Sequence, residues 1–451
     1  VDAGRIAVFT SVQLGVYALA QIPTGILIDK FGPRLLLVVG AVIMGIGQVV
    51  LGFTTSYGVA IAARILIGAG DATAFLSVMR ILPYWFPLHR TPMFTQVTSS
   101  LGQMGQFISA VPFLWLLGAA GWTAAFVTLG AVGILVAIAA IVAVADSPEK
   151  LGIIPTEKEP PNSQATSIPA RLKKVFRSPV AWQAYFIHYI GMLPLIVFVM
   201  LWGMPMMTQG MELSKAKSSL VLTLLAVFLV LVGPLHGKIS SRAQHIRPWL
   251  SLGFVAVHVL TWLIFFTFGT DSGLAAILVV SFVTALCTPT ANYGFDIVRE
   301  RMDRSVVATA TGLGNMGGFT SGMLGAQLFG MVLDHSSAAP NYSMPDFTAA
   351  SAAVLAVWVV GMIGVVVTHF LRRRAGEDGR LLRAQLIDGF RGLAPFQVGI
   401  APQRAQARAR RIDQHPVDLA GQALDAFVAL VADLHRIDIG QPAARQARLE
   451  L

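Results

Sequence analysis

Long, uninterrupted apolar runs occupy most of the first 371 residues, and short polar segments separate them. A helix that crosses a bilayer needs about 20 such residues in succession. Continuous runs are unlike the alternating apolar and polar positions of a membrane β-barrel strand. We therefore predict an all-α membrane protein with eleven spans, at 6–25, 35–53, 57–79, 93–117, 121–145, 181–207, 218–236, 248–268, 272–292, 306–333 and 349–371.

The charge composition strengthens this interpretation. Only 12% of the residues are charged, compared with about 25% in soluble domains. The net charge of +10 would suggest nucleic-acid binding in a soluble protein, but here the expected partner is the lipid bilayer, with no nucleic acid. Cys287 is the single cysteine in the sequence, so we expect no disulfide framework, no metal site and no cofactor.

Lysine and arginine alternate between the two sides of the predicted spans. Nineteen lie in connections on one side, whereas the opposite connections hold Arg5, Lys215 and Lys217. Because basic loops remain in the cytoplasm, this pattern places Val1 outside and the C-terminus inside a plasma or inner membrane. The nineteen are Lys30, Arg34, Arg80, Arg90, Lys150, Lys158, Arg171, Lys173, Lys174, Arg177, Lys238, Arg242, Arg247, Arg299, Arg301, Arg304 and Arg372 to Arg374.

The sequence repeats itself at an offset of 212 residues. Residues 101–110 read LGQMGQFISA and residues 313–322 read LGNMGGFTSG, with six identities in ten. Such halves in the same orientation indicate a parallel repeat about an axis along the membrane normal. The second half has two spans before Gly237, whereas the first has one before the matching Gly25, so we expect one further helix ahead of Val1.

This repeat divides the chain into four expected segments. They are an N-terminal bundle of five spans at 1–146, a cytoplasmic linker at 147–178, a C-terminal six-helix bundle at 179–371 and a tail at 372–451. The tail carries 22 of the charged residues and an amphipathic stripe that aspartates interrupt. Two interpretations of the tail stay open, a disordered extension and a cytoplasmic segment that binds a partner.

A loop motif connects the first two spans. Residues 25–35 read GILIDKFGPRL, which resembles the G-x-L-a-D-[RK]-x-G-x-[RK] loop signature of the major facilitator superfamily. Residues 64–70, RILIGAG, resemble the family's fourth-helix pattern. The resemblance covers about 1–371 and implies two six-helix bundles around a central cavity, which work by alternating access as a monomer. It also implies that the first helix of the family is missing here.

The loop motif has a defined role in that family. Gly25 and Gly32 would allow close helix approach and a tight turn, and we expect Asp29 beside residues 303–305, where unpaired helix amides favour an anion. By resemblance, this contact holds the two bundles together in the outward-facing state, with Lys30 and Arg34 completing the motif. Alternatively, the charged residues simply anchor a loop among lipid head groups.

Two charges lie inside the predicted third span. Arg64 and Asp71 are seven residues apart, about 10 Å along a helix, and share one face with Gly68 and Phe75. Charges at bilayer depth face a wet cavity or a partner, and the family's equivalent helix lines the cavity. We therefore assign Arg64 to the binding of an anionic group and Asp71 to proton binding. A structural pair that only fixes helix packing is the alternative.

Polar residues in two other regions are further candidates for substrate or proton contact. By resemblance, Tyr185 and His188 lie on a cavity helix, although a lone histidine among aromatics is also typical of packing. Gln103, Gln106 and Asn315 lie in the repeated glycine-rich helices. Their amides would meet a substrate there, or they would bond across a close helix contact.

The function indicated is secondary active transport of a small solute, by proton-coupled uptake of an organic solute or anion. The sequence has no P-loop and no catalytic GxSxG or HExxH motif, so we expect neither ATP-driven transport nor an enzyme. The antiporter signature expected by resemblance near Gly102–Pro112 is also not met. A drug or metabolite efflux antiporter, a non-transporting solute sensor and an inactive eleven-span form remain alternatives.

Overall fold

The computed structural model describes residues 3–152, 167–269, 273–336 and 342–375. These ranges are almost entirely helical and contain no β-strand. The helices are α1 (Ala3–Phe31), α2 (Pro33–Phe53), α3 (Tyr57–Trp85), α4 (Thr91–Ala143), α5 (Ile168–Phe176), α6 (Pro179–Gly210), α7 (Lys215–Arg242), α8 (Arg247–Gly269), α9 (Gly273–Arg301), α10 (Arg304–Ser336) and α11 (Met344–Arg374).

Nine helical segments of the described ranges are long and apolar enough to cross a membrane. The protein is therefore an all-α membrane protein, as its apolar pattern predicts. The predicted spans 6–25 and 93–117 lie within α1 and the first part of α4, but neither is among the nine. Length and hydropathy thus do not establish the predicted number of eleven crossings.

Several helices depart from the predicted limits for local reasons. The spans predicted at 93–117 and 121–145 form the two parts of α4, which Gly121 separates with a φ of 82°. Helix α6 has wide π-helical turns at Ile196–Trp202 and Met206–Gly210, close to Pro194 and Pro205. Proline removes a backbone donor and so disturbs the regular pattern of helical hydrogen bonds.

Helix α9 continues beyond the predicted limit of 292. A tight 3-10 segment, Thr288–Asn292, interrupts it at Pro289, and a second helical part then runs to Arg301. The apolar pattern does not predict this second helical part, because the charged residues Asp296, Arg299 and Glu300 are typical of a loop between spans. They are tolerated because they bond to one another and to neighbouring helices.

The connections that carry most of the basic residues lie together at one end of the helices, which we call the basic end. It contains the α1–α2, α3–α4, α7–α8 and α9–α10 connections. Here the repeat is visible in the packing: a Cβ on Gly25 would lie 2.6 Å from the Thr309 Cα, and one on Gly237 would lie 2.5 Å from the Met93 Cα. Equivalent glycines thus make equivalent close contacts with the other half of the chain.

The repeated glycines of α4 and α10 differ in their surroundings. A Cβ on Gly317 would collide with the Tyr185 carbonyl oxygen on α6, whereas one on Gly105 would have no described atom within 4 Å. Among the described residues, Gly317 therefore provides close helix packing, and Gly105 does not. The expected helix ahead of Val1, residues 153–166 of the linker and nearly all of the tail lie outside the described residues.

This contrast predicts opposite effects of one substitution. Gly317→Ala should lower the free energy of unfolding by about 1–3 kcal/mol, because the added methyl overpacks the α6–α10 contact. Gly105→Ala should raise it by up to about 1 kcal/mol, since alanine is the better helix former. Unfolding of the two purified variants in detergent would measure this, and equal effects at both positions would contradict it.

Candidate gate and central polar site

Asp29 lies at the basic end, where α1 meets the start of α10. Its carboxylate accepts hydrogen bonds from the backbone N–H of Ala308 at 3.1 Å, and from the N–H and hydroxyl of Thr309 at 2.9 and 2.7 Å. The Arg80 Nε is 3.5 Å away, and the carboxylate side chain is fully buried. Asp29 is therefore at the expected helix start, although it contacts residues 308 and 309 rather than 303–305.

The remaining motif residues shape the turn between α1 and α2. Gly32 has a φ of 91°, which favours glycine, and its backbone passes close to the Asp146 carboxylate. That carboxylate also accepts from the Arg34 N–H at 2.7 Å, while the Arg34 guanidinium donates to the Ile141 carbonyl. Lys30 is exposed, with its ammonium 4.9 Å from the Phe31 ring centroid. Arg34 therefore ties α2 to the end of α4.

Further polar contacts join the two halves near the basic end. The Gln96 amide donates to the Pro289 carbonyl at 2.8 Å and accepts from Asn292 at 2.9 Å. Ser100 donates to the Val230 carbonyl, which adds a contact between α4 and α7. The 3-10 turn at Pro289 presents the carbonyl that Gln96 reaches. These bonds, with those of Asp29, close the basic end.

A buried charged network lies on the second half at the same end. The Arg247 guanidinium binds both carboxylate oxygens of Glu300, at 2.6 and 2.8 Å, and donates to Ser240. Ser240 in turn donates to Asp296 at 2.6 Å, and Asp296 accepts from Arg299 at 2.9 Å. Arg299 also donates to Thr95 of the first half at 2.9 Å. The network therefore extends across the closed end.

Asp303 joins the described part of the linker to the start of α10. The Ser305 N–H donates to its carboxylate at 2.8 Å, and the Lys174 ammonium of α5 lies 2.9 Å away. The Ser305 backbone bond, with help from Lys174, holds the pKa of Asp303 well below its usual value. Any stability that this contact adds is therefore present above the usual pKa of aspartate and is lost only in strong acid.

A second polar group lies deeper, between α1, α3 and α10. The Arg64 guanidinium donates to the Gln13 side-chain oxygen at 2.8 Å, and the neighbouring Gly68 packs against the Gln13 backbone. The Asn315 amide donates to the Gln21 oxygen at 2.8 Å and to the Tyr17 hydroxyl at 3.3 Å. The side chains of Tyr17 and Gln21 in the first half thus contact Asn315 in the second half.

Asp71 is the acidic residue of this region. It is half-buried and lies close enough to Tyr17 for the two to interact electrostatically. Phe75, one turn further along the same face of α3, meets Phe295 of α9 with ring centroids 5.4 Å apart. The face of α3 that carries Arg64 and Asp71 therefore points toward α1 and the second half.

The structure brings some of the other candidates into this region. His188 is buried against α10 and donates from Nδ1 to the Ala291 carbonyl at 3.2 Å. Tyr185 contacts Trp182, Phe186 and Tyr189 through its ring. Gln103 is half-buried with no described hydrogen bond, and the Gln106 side chain lies outside the described residues.

Three polar residues of α1 belong to this region and were not among the residues predicted from the sequence. Gln13, Tyr17 and Gln21 recur every four residues on one face of this helix, and each contacts a candidate residue of α3 or α10. Polar side chains at helical spacing within an apolar span indicate a face that avoids lipid. That spacing was the available signal.

Comparison with known proteins places the chain in a family. The sequence model of the Major Facilitator Superfamily matches residues 1–326, and the chain belongs to this family of transmembrane transport proteins. The probable sulfoacetate transporter SauU of Cupriavidus necator is 26% identical over 360 residues, which are 74% of this chain and 81% of that protein. The probable L-galactonate transporter of Escherichia coli is 27% identical over 137 residues, 30% of each chain.

Solved structures support the same fold. The fucose:proton symporter FucP of E. coli, in its N162A form, matches with a TM-score of 0.60 at 14% sequence identity, over 81% of this chain and 91% of that one. FucP in its outward conformation matches with a TM-score of 0.58 at 13% identity, over 82% and 91% of the two chains. The family fold expected from the resemblance is thereby confirmed.

Proposed function

We propose that this protein takes up a small organic anion by alternating access, coupled to the movement of protons. One observation carries the proposal. A cation, Arg64, and an acid, Asp71, lie on the same inward face of one membrane-spanning helix. A half-buried cation can bind a carboxylate or sulfonate, and a half-buried acid can exchange a proton. The names of two relatives refer to such anions.

The contacts at the basic end support a state closed on one side. If basic loops are cytoplasmic, Asp29 and Gln96 close the cytoplasmic side, and the solute enters from outside. In this proposal the halves at 1–146 and 179–371 rock against each other as a monomer, with 147–178 as the connecting linker and the C-terminus in the cytoplasm. Separation of the halves at the basic end would then release the solute.

Two variants test the roles of Arg64 and Asp71 in proteoliposomes. Arg64→Gln should reduce both uptake and solute counterflow by about 30-fold or more, because loss of the charged partner of a bound anion costs about 2 kcal/mol at least. Asp71→Asn should keep counterflow, which needs no net proton movement, but should lose accumulation driven by a pH gradient. Lys215→Gln and Asp71→Glu are the matched controls.

The same assay separates the alternatives. Asp71→Asn with accumulation and pH dependence like those of the wild type would refute the coupling role. Solute binding without counterflow in the wild type would identify a sensor. Solute movement only from the cytoplasmic side to the outside, in exchange for protons, would identify an efflux antiporter.

A further inference from the structure

A cavity lies among the helices of the second half, and neither Arg64 nor Asp71 lines it. It has a volume of about 180 Å³ and lies between α6, α8, α10 and α11. Its walls are aromatic and aliphatic, and we call it the aromatic cavity. Its main lining side chains are Phe198, Trp202, Trp262, Phe266, Phe329 and Trp358.

The three indoles of the aromatic cavity differ in their hydrogen bonds. Trp202 donates to the Ala326 carbonyl at 3.2 Å, and Trp358 donates to the Ile190 carbonyl at 2.8 Å. The Trp262 Nε1 is buried but has no partner among the described residues. Because a buried donor is normally paired, the indole of Trp262 in this wall keeps one hydrogen bond unsatisfied within the described residues.

The mouth of the aromatic cavity faces the lipid. Leu263 of α8 and Ala352 of α11 line the cavity and are also exposed on the outside of the helices. Leu260, Ile264 and Val360, beside them, are each more than half exposed. In a membrane-spanning protein, such an apolar surface contacts hydrocarbon, so the occupant enters from the bilayer. Water is unsuitable, since apolar cavities of roughly 150 Å³ stay dry.

A wider, more polar opening continues from the aromatic cavity toward the end of the helices opposite the basic end. It has a volume of about 800 Å³, shares the Phe266 ring as a wall, and is lined by Glu212, Gly273 and Met344 at helix ends. Glu212 is exposed and forms no ion pair within the described residues. The two spaces therefore run from a polar, negatively charged entrance to an apolar interior.

We propose that the two spaces together hold one bilayer phospholipid. An acyl chain fills the aromatic cavity, an ester carbonyl accepts from the Trp262 Nε1, and an amine-bearing head group lies beside Glu212. The head group, the ester and the acyl chain follow one another along the lipid in the same order as Glu212, Trp262 and the apolar walls follow one another along the two spaces. The lipid would lie directly behind the π-helical segment Ile196–Trp202 of α6, which contributes Phe198 and Trp202 to the wall.

Native mass spectrometry of the full chain, delipidated and then mixed with phosphatidylethanolamine, tests this proposal. The wild type should retain one lipid per chain, and Trp262→Phe should weaken retention about fivefold, the usual effect of one lost hydrogen bond. Ala352→Phe should block the mouth and abolish retention. Ala356→Phe, one turn further along the exposed surface of α11 and outside the cavity lining, is the matched control and should retain lipid normally.

The head-group assignment has its own comparison. Glu212→Gln should weaken retention of phosphatidylethanolamine and not that of phosphatidylglycerol, which has no amine. Unchanged retention in Ala352→Phe, or equal loss in Ala356→Phe, would overturn the proposal. Recovery of a fatty acid or another apolar molecule that phosphatidylethanolamine does not displace would also overturn it. None of these outcomes depends on solute transport.

Discussion

Asp29→Ala should reduce transport by at least about tenfold, because it removes the acceptor of three hydrogen bonds between α1 and α10. The substitution leaves the amides of Ala308 and Thr309 without their partner and also removes the charge beside Arg80. The basic end should then stay open for a larger fraction of the time. Solute uptake in proteoliposomes measures the first effect.

Cysteine accessibility measures the second effect. Ser100 is buried at the closed end, so Ser100→Cys in a Cys287→Ser background should react slowly with an impermeant maleimide from the basic side. Adding Asp29→Ala should make that reaction faster. Ser241→Ala, at the residue that the repeat matches to Asp29, is the control, since within the described part of the chain Ser241 bonds only inside its own helix. Uptake and labelling like those of the parent would refute a gating role for Asp29.

The largest expected loss of stability is that of Arg247→Met. The Arg247 side chain is fully buried and binds Glu300 through two nitrogen atoms. Its removal leaves the largely buried carboxylate of Glu300 uncompensated, which typically costs about 3–5 kcal/mol. The free energy of unfolding, measured by denaturant titration in mixed micelles, should fall by this amount.

A double substitution separates loss of charge balance from loss of packing. Arg247→Met combined with Glu300→Met removes both charges, and should recover most of the stability, since apolar pairs often replace buried ion pairs well. Lys238→Met, which removes an exposed charge from the same end, should have little effect. A double variant as unstable as Arg247→Met would show that the guanidinium's contacts with Ser240 matter more than Glu300.

Local patterns predicted the apolar helices and located the loop motif, because each depends on residues close in sequence, although the number of eleven crossings is not confirmed. A hydrophobic run defines a membrane helix by itself, and Gly25 and Asp29 occur in a motif of eleven residues. The position of Asp29 at the start of α10 followed from the loop motif and the unpaired amides of the helix start together. The sequence did not predict that Asp29 contacts Ala308 and Thr309 rather than residues 303–305, because the start of α10 depends on the short 3-10 turn at Arg304–Val306.

Contacts that join distant residues could not be predicted in this way. Gln96 reaches Pro289 across 193 positions, and the carbonyl it uses depends on how α9 unwinds. Arg299 reaches Thr95 across a similar distance. At the position that the repeat matches to Asp29, the second half has Ser241 and no acid. In the structure, Asp296 and Glu300 supply the acidic groups from a different helix.

Gly25 and Gly237 meet the backbone of the opposite half at two points related by the repeat. A side chain at either point would exclude the closed arrangement of the basic end, but it would leave the packing within each half unchanged. Substitutions at these positions would therefore alter the populations of the conformations more than the stability of the fold. The repeat thus gives the protein two equivalent positions at which a single methyl group changes a conformational equilibrium.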